Sequence, residues 1–224
     1  MVGPSSSHTA GACRIAYISQ LILKGSFEND EDNDLEKAII KLHGSFAETY
    51  KGHGTDKAIL GGLLGFKPED ERIKESYNYT KEKGLKFKFE IIDLGPNYHP
   101  NSVLLELYDK KGNNLEIIGS SIGGGNIIIE EINKMSAGFN AEKPTIIIIN
   151  EDKPGVIAKV AKVIADYNYN ISQMKITQNI QKKLALTWIE VNKPIDKNLI
   201  DSLNKISELK LVRYLNVWIN RRNV

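Results

Sequence analysis

Residues 145–171 read TIIIINEDKPGVIAKVAKVIADYNYNI, a stretch in which the apolar pattern changes twice. The short apolar run Thr145 to Asn150 predicts a buried strand, because turn residues follow it directly. Gly155 to Tyr167 carries apolar residues at helical spacing and predicts an amphipathic helix. A second strand is predicted from Ile171 to Gln178. A strand, a crossing helix and a returning strand form the first half of a βαββαβ arrangement.

The remaining C-terminal residues complete this pattern. Lys183 to Val191 predicts a third strand, Asp196 to Ser207 a second helix and Leu209 to Ile219 a final strand. This order is the split arrangement of ferredoxin-like folds. We therefore predict a C-terminal ferredoxin-like βαββαβ domain.

The N-terminal residues predict a mixed α/β domain, so the fold class of the whole chain is α/β, of the α+β kind. A composition shift at residues 136–144 predicts a linker, and we place the two domains at residues 1–138 and 144–220. Residues 110–114 predict the turn of a β-hairpin. The predicted elements are helix Ala10 to Lys24, strand Ala38 to Phe46, helices Thr55 to Leu64 and Glu69 to Lys83, and strands Lys86 to Asp93, Ser102 to Asp109 and Leu115 to Ser121.

The composition describes an ordinary globular protein of one or two domains. Of its 224 residues 41% are hydrophobic and 26% charged, and the formal net charge is +2. Lys and Arg are scattered among acidic residues, which argues against nucleic-acid binding. The apolar runs are far shorter than a membrane span, and a signal-peptide pattern is absent. We therefore expect a cytoplasmic protein with no nucleic-acid partner and no membrane partner.

Hydroxyls and an imidazole stand directly before the first predicted helix, at Ser5, Ser6, Ser7, His8 and Thr9. A helix start presents unpaired N–H groups and about half a positive charge, which together receive a carboxylate or phosphate. Ser and Thr also cap helices routinely, and this segment alone does not separate the two roles. A serine hydrolase using Ser6 or Ser7 is disfavoured, because the Gly-x-Ser-x-Gly turn is absent.

Further groups suited to chemistry stand at the ends of predicted elements. His53 is flanked by glycines that allow a ligand to approach closely, and Thr55 and Asp56 follow at a predicted helix start. His99 and Asn101 precede a predicted strand. Taken singly, each of these groups is also explained by a helix cap or a turn.

The single cysteine, Cys13, excludes an internal disulfide and a cysteine-built metal site completed by this chain alone. Its helical position beside Ala12 and Ala16 favours a small core residue. His43 lies in an apolar run and favours a hydrogen-bonded core histidine. A metal-dependent hydrolase built on the four histidines is disfavoured, since no two have the helix spacing that brings ligands together.

Two turns of the C-terminal part resemble those of ACT regulatory domains. Residues 152–155 match a D-x-P-G turn, and residues 168–171 match part of a G-x-N-I turn. Asn168 stands where glycine is usual, and asparagine tolerates a positive φ. The resemblance implies an amino-acid ligand and pairing between two ACT domains. The residues implied in ligand binding are Asp152, Pro154, Gly155, Asn168, Asn170 and Ile171.

The N-terminal motifs occur in one order: Gly3-Pro4-Ser5-Ser6-Ser7-His8-Thr9, Gly44-Ser45-Phe46-Ala47, Gly52-His53-Gly54-Thr55-Asp56 and His99-Pro100-Asn101. This order resembles the beta chain of bacterial iron-sulfur-dependent L-serine dehydratase. Together with the ACT-like part, the resemblance spans nearly the whole chain. It implies conversion of L-serine to pyruvate and ammonia, by elimination of water and then hydrolysis of the imine.

The same resemblance implies a partner and a cofactor. In this family a [4Fe-4S] cluster, held by cysteine thiolates, is the Lewis acid for the leaving hydroxyl. One thiol cannot hold such a cluster, so the implied holder is a cysteine-rich alpha subunit that shares the active site with this chain. The implied assembly is a heterodimer in which this chain supplies no metal ligand.

The resemblance assigns roles to residues of this chain. His8 and His53 are the implied catalytic residues; which of them, if either, moves a proton stays open, because the base could also come from the partner chain. Family members usually carry roughly a dozen residues before the Gly-Pro-Ser motif, about one short strand and its turn. Met1 stands almost against the motif here, so either the given sequence begins at an internal methionine or the chain is shortened, and in the second case we expect the loop to lose support. The implied substrate-binding residues are Ser5, Ser6, Ser7, Thr9, Gly54, Thr55, Asp56, His99 and Asn101.

Two alternatives remain open at this point. The chain could be a regulatory subunit that binds an amino acid and catalyses nothing. It could also correspond to the related substrate-binding domain of some phosphoglycerate dehydrogenases. The absence of a dinucleotide fingerprint means that it is no dehydrogenase by itself.

Overall fold

The computed structural model of the chain describes residues 6–25 and 35–216. Ser5 lies outside the described residues, and so does the end of the predicted strand that closes at Ile219. None of the described helices is long and apolar enough to cross a bilayer. The chain divides into two compact units, Met1–Lys134 with Gly138–Asn140 and Met135–Ala137 with Ala141–Val224.

Helices and one six-stranded sheet make up the first unit. The helical run at its N-terminus starts with a π-helical turn, Ser6–Gly11, and continues as α1. The helices are α1 Ala12–Lys24, α2 Gly44–Thr49, α3 Thr55–Leu63 and α4 Ser76–Lys83, with a 3₁₀ turn at Glu71–Glu75. The strands are β1 Leu35–Leu42, β2 Lys86–Ile91, β3 Ser102–Asp109, β4 Asn114–Gly123, β5 Asn126–Ile132 and β6 Met135–Phe139.

The sheet runs in the order β2-β1-β3-β4-β5-β6. Strand β1 pairs in parallel with β2 and antiparallel with β3, and β4 is antiparallel to both β3 and β5. Helix α1 packs on β3, β4 and α3, and its Ile15, Ile18 and Ile22 are fully buried. The π turn that precedes α1 is therefore held beside β4 and the start of α3.

Several predicted elements of this unit are confirmed. Strand β3 has its predicted bounds, and β3 and β4 form the predicted hairpin. Gly25 ends α1 with φ 65°, and its N–H donates to Leu21 O at 2.9 Å. The strand predicted to reach Phe46 is wrong at its C-terminal end, because β1 stops at Leu42 and Phe46 lies in α2.

Two strands were not predicted, and one of them replaces part of the predicted linker. Strand β5 follows the turn at 123–125, and the apolar run at 127–129 belongs to it. Strand β6 covers the first half of the linker predicted at 136–144. Its Met135, Ala137 and Phe139 are buried in alternation, but Ser, Ala and Gly at alternate places hide this period of two.

The second unit has the predicted βαββαβ order. Its four-stranded antiparallel sheet runs β10-β7-β9-β8. Val156, Val160 and Ile164 are buried along one face of α5, as the predicted amphipathic pattern requires. Helix α6 is shorter than predicted. The elements are β7 Thr145–Glu151, α5 Val156–Asp166, β8 Ile171–Asn179, β9 Leu184–Val191, α6 Lys197–Leu203 and β10 Leu209–Leu215.

Candidate active site

The π turn carries Ser7, His8 and Thr9 in a position set by β4. The helical run begins at Ser6 rather than at Ala10, so these residues lie inside its first turn and not at a cap before it. Ser121 of β4 donates its hydroxyl to Ser7 O at 3.0 Å. Gly11 permits this approach, because a Cβ there would overlap the Ser121 hydroxyl. The turn is thus held against the sheet through its backbone.

The imidazole of His8 is held on several sides. Its Nε2 lies 3.1 Å from Ser45 Oγ and its Nδ1 lies 3.3 Å from Ser7 Oγ. The ring of Phe46 meets it edge-on, with centroids 5.5 Å apart. Since both ring nitrogens have hydroxyl partners and one face has an aromatic neighbour, His8 has a defined orientation.

A second imidazole, that of His53, lies beside the first. The ring centroids of His8 and His53 are 4.9 Å apart with an angle of 38° between the planes. Burial lowers the pKa of His8, and the neighbouring His53 lowers the pKa further. His8 is therefore held in its neutral form near pH 7, the form that accepts a proton.

Gly44 brings the His99-Pro100-Asn101 turn to the start of α2. Gly44 has φ 54°, and a Cβ at this position would lie 2.7 Å from Pro100 O. The N–H of Phe46 donates to Pro100 O at 3.4 Å, and the N–H of Ser121 donates to Asn101 O at 2.9 Å. Because Ser121 also bonds Ser7, the motifs around residues 7, 45 and 101 form one connected cluster.

The exposed side chain of His99 has a local partner, since its Nδ1 accepts from the N–H of Asn101 at 3.1 Å. The carbonyl of His99 accepts from the hydroxyl of Ser102 at 2.6 Å. Both contacts shape the turn before β3. The backbone of Asn101 connects this turn to the cluster, because its carbonyl accepts from the N–H of Ser121.

The start of α3 completes the cluster. Gly54 has φ 69°, and Thr9 donates its hydroxyl to His53 O at 3.3 Å, so the π turn and this loop are tied together. The carboxylate of Asp56 accepts from the Tyr77 hydroxyl at 2.8 Å and from the N–H of Lys57. Burial, and donation to Asp56, raise the pKa of Tyr77. The Asp56 carboxylate is thus hydrogen-bonded to Tyr77 and to the start of α3.

Buried polar atoms without a partner concentrate in the predicted substrate-binding residues. Among the described residues of the first unit, they are His53 Nδ1, Thr55 Oγ1, Asn101 Oδ1 and Gln20 Oε1. Thr55 is completely buried. Nearly all buried polar groups in proteins have a hydrogen-bond partner, and an unpaired one costs about 1–3 kcal/mol. Three such atoms in one cluster indicate a site built for a polar ligand.

Comparisons with known proteins identify the family of the chain. Residues 1–132 match the family described as serine dehydratase beta chain. The chain belongs to the serine dehydratase beta chain family. The L-serine dehydratase beta chain of Peptoniphilus asaccharolyticus is 39% identical over 97% of this chain and 94% of its own length. The probable L-serine dehydratase beta chain of Bacillus subtilis is 42% identical over 93% of this chain and 90% of its own length.

A longer relative matches only in part. The protein named L-serine dehydratase 1 of Escherichia coli is 29% identical over 58% of this chain, and the match covers 32% of that protein. Residues 146–213 match the family described as AHAS small subunit-like ACT domain. The second unit of this serine dehydratase beta chain is therefore an ACT domain, as its two turns predicted.

The described residues of this serine dehydratase beta chain do not fit an iron-sulfur cluster. Cys13 is fully buried, its thiol donates to Phe66 O at 3.4 Å, and burial raises its pKa, so it is the predicted core residue. Within residues 6–25 and 35–216, no three His, Cys, Asp or Glu side chains are grouped to hold a metal. His43 has the predicted partner, since its Nδ1 accepts from the N–H of Leu94 at 3.2 Å.

The two predicted ligand turns of the ACT domain lie at opposite ends of α5. Gly155 precedes the helix with φ 86°, and Asn168 follows it with φ 58°, the positive value predicted for an asparagine in the place of glycine. The Asp152 carboxylate accepts from Gln178 Nε2 at 2.9 Å. Asn170 donates its N–H to Asn192 Oδ1. Helix α5 has 11 residues. At 1.5 Å per residue it separates the turns by about 16 Å.

Residue-level reasoning missed Ser45, Ser121 and Tyr77. Each contacts a predicted site residue: Ser45 bonds His8, Ser121 bonds Ser7 and Tyr77 bonds Asp56. Ser45 stands in a motif that carried the family resemblance, so a signal for it was present. Ser121 and Tyr77 lie far along the chain from their partners, and the sequence contains no local signal for either contact.

Proposed function

We propose that this chain is the beta subunit of an L-serine dehydratase, which converts L-serine to pyruvate and ammonia at a site shared with a second subunit. Membership of the serine dehydratase beta chain family supports the reaction. The observation that carries the proposal is the cluster of buried, unpaired polar atoms at His53, Thr55 and Asn101. Because these atoms are buried, water does not compete with a polar substrate for hydrogen bonds to them.

The three unpaired atoms match the groups of L-serine. Thr55 stands at the first position of the nine-residue helix α3, where the helix dipole attracts an anion. We assign the substrate carboxylate to this helix start, with the Thr55 hydroxyl as a donor. Asn101 Oδ1 is an acceptor and suits the ammonium group or the hydroxyl. We also assign Ser5, Ser6 and Ser7 to substrate binding, as the family resemblance implies.

Proton transfer falls to the histidine pair. Elimination begins when a base takes the proton from Cα, after which the Cβ–O bond breaks and the hydroxyl leaves as water. His8 and His53 lie side by side with their ring centroids 4.9 Å apart, and the pKa of His8 is lowered by burial and by His53. We assign the base and its conjugate acid to this pair. Thr9 and Gly54 hold the pair in place through the backbone of the loop.

We place the cofactor and the rest of the site on a partner. The [4Fe-4S] cluster of this family supplies a Lewis acid for the leaving hydroxyl, and Cys13 does not fit such a cluster. Only 32% of the Escherichia coli L-serine dehydratase 1 corresponds to this chain, so most of that protein has no counterpart here. We infer that a separate, cysteine-rich alpha subunit supplies that part.

The ACT domain is proposed to bind a free amino acid as a regulator. Asp152, Pro154 and Gly155 lie at one end of α5, whereas Asn170 and Ile171 lie at the other. A free amino acid is far shorter than the helix, so it cannot touch both turns of one chain. We therefore propose that two ACT domains pair and that each ligand binds one turn from each. The division at 1–138 and 144–220 is retained for this functional separation.

Anaerobic co-expression with the alpha subunit tests the function. Pyruvate formed from L-serine is measured for each chain alone and for the pair, together with the absorption of the iron-sulfur cluster. We expect activity only in the pair, and cluster absorption that this chain alone lacks. A stable pair that carries its cluster and binds L-serine without forming pyruvate would instead make this chain a regulatory subunit.

A further inference from the structure

The Gly44-Ser45-Phe46 segment has no chemical role in the proposed reaction. The side chains of Ser45 and Phe46 nevertheless contact the imidazole of His8. Gly44 seats the start of α2 on Pro100, with a space too small for a Cβ. Ser45 places its hydroxyl 3.1 Å from His8 Nε2. Phe46 is fully buried and meets the His8 ring edge-on. The motif thus forms one wall of the site around a single imidazole.

We propose that Ser45 is a positioning residue that fixes the orientation and tautomer of His8. This inference rests on the proposed function, in which His8 belongs to the proton-transferring pair. A neutral imidazole has one nitrogen that donates and one that accepts, and the partner of each nitrogen selects between the tautomers. The Ser45 hydroxyl is the partner of Nε2, and because it can donate or accept, the orientation of its O–H and the tautomer of His8 are set together.

Ser45 differs from the other hydroxyl partner of His8 in where it is anchored. Ser7 is the neighbour of His8 in the chain, so a bond between their side chains ties the ring to its own turn. Ser45 comes from α2, which is tied to the turn before β3 through Gly44 and Pro100. The Thr49 hydroxyl also donates to Ser45 O at 2.8 Å, within the same short helix.

The proposal predicts a split between kcat and KM. Ser45→Ala removes the bond to Nε2 and leaves the unpaired atoms of the substrate site unchanged. We expect kcat to fall about tenfold, the size of one lost hydrogen bond. KM is expected to change less than the kcat does. Ser45→Thr keeps a hydroxyl at the same place and is expected to restore most of the kcat.

Nitrogen NMR of the full chain gives a measurement that does not depend on activity. The chain has four histidines, and a His8→Gln variant assigns the His8 signals. We expect one dominant His8 tautomer in the native chain and in Ser45→Thr, and averaged nitrogen shifts in Ser45→Ala. Ser19→Ala is the control, because Ser19 is a buried serine whose hydroxyl bonds only along its own helix, to Ile15 O.

The outcomes separate this inference from the proposed function. Unchanged His8 nitrogen shifts in a folded Ser45→Ala chain would overturn the inference, whatever the activity. Altered shifts with an unchanged kcat would confirm that Ser45 orients His8 and would remove His8 from the reaction. If Ser45→Ala fails to fold while Ser19→Ala folds, Ser45→Thr decides: an altered tautomer in that variant would contradict the inference.

Discussion

The two units differ in the burial of polar atoms at several of their predicted ligand-binding residues. In the first unit, Thr55 is completely buried and its hydroxyl has no hydrogen-bond partner. His53 Nδ1 and Asn101 Oδ1 are also buried without a partner. In the ACT domain, the turn residues Asp152 and Asn168 are exposed. A buried polar group without a partner costs folding free energy, whereas an exposed one is satisfied by water.

This difference in burial indicates that ligand binding has different energetic consequences in the two units. The first unit carries an energetic cost at its site, which a polar substrate removes when it binds. The ACT turns carry no such cost, and they lie about 16 Å apart along α5, which is why the proposed ligand site combines turns from two copies of the domain. Substitutions in the first unit should therefore change turnover directly, and those in the ACT turns should change regulation and assembly.

The sharpest test of the contrast is the removal of an imidazole. His53→Gln is expected to lower kcat about 10²- to 10⁴-fold in the complex with the alpha subunit, the usual loss when a general base is removed. The ACT domain should still bind its ligand and pair, because the change lies in the other unit. Steady-state assays and analytical ultracentrifugation measure the two properties.

His43→Gln is the matched control for this variant. His43 is half-buried, its Nδ1 accepts from Leu94 N–H, and it lies outside the cluster of unpaired atoms. It should lose some stability and keep its kcat per folded molecule. Equal losses of kcat in both variants would mean that His53→Gln acts through the fold of the first unit and not through the loss of a catalytic imidazole.

The second test disrupts the contact between Gly44 and Pro100 beside the first site. Gly44→Ala is expected to destabilise the chain by about 3 kcal/mol, since left-handed strain and overlap with Pro100 O add together. Gly84→Ala is the control, because Gly84 has φ 69° and open space where a Cβ would be. It should lose only about 1 kcal/mol from strain. Denaturant unfolding measures both, and similar losses would show that the Gly44–Pro100 contact adds nothing.

The third test uses the sign of a stability change. Thr55→Val removes an unpaired buried hydroxyl, so the free chain should gain about 1 kcal/mol, while KM for L-serine rises about tenfold. Thr80→Val removes a hydroxyl that donates to Tyr77 O at 2.7 Å and should lose about 1 kcal/mol. Thermal unfolding gives both signs. A loss of stability in Thr55→Val would contradict the claim that this hydroxyl awaits a ligand.

The sequence predicted the parts of the molecule that local forces determine. Helix α1, strand β3 and the ACT order follow from apolar period, turn residues and glycine stops, which act over a few positions. Asn168 takes a positive φ because its own side chain tolerates one. Strand β6 was missed because a period of two is hard to see in a run containing Ser136 and Gly138.

The contacts that connect the residues of the candidate site were not predicted. His8, His53, Thr55 and Asn101 were named from motifs, yet nothing local indicates that Ser121 bonds the turn that carries His8. The strand predicted through Phe46 failed for the same reason. Gly44 turns the chain there, and it does so against Pro100, which is distant in sequence. Contacts of this kind depend on the sheet order, which local patterns do not contain.

The fourth test follows the pH dependence of the first unit. The pKa of His8 is lowered in the folded chain from its ordinary value of 6.5, so the unfolded chain binds a proton more readily. Its contribution to stability is constant above the unfolded pKa and decreases as pH falls from about 6.5 through the folded pKa. Urea unfolding across this range should show a decline that His8→Gln reduces. An undiminished decline would assign it to other groups.

The smallest effect is expected in the ACT domain. Asn168→Gly keeps the positive φ of 58° at an exposed turn, so stability should change by less than about 1 kcal/mol, with kcat unchanged. Asn168→Ala should lose about 1 kcal/mol from strain, again with kcat unchanged in the folded enzyme. Both variants are compared for ligand binding and pairing. If Asn168→Gly lowered kcat as much as Thr55→Val raises KM, the two units would share one site, and the contrast between a buried catalytic cluster and an exposed regulatory turn would not hold.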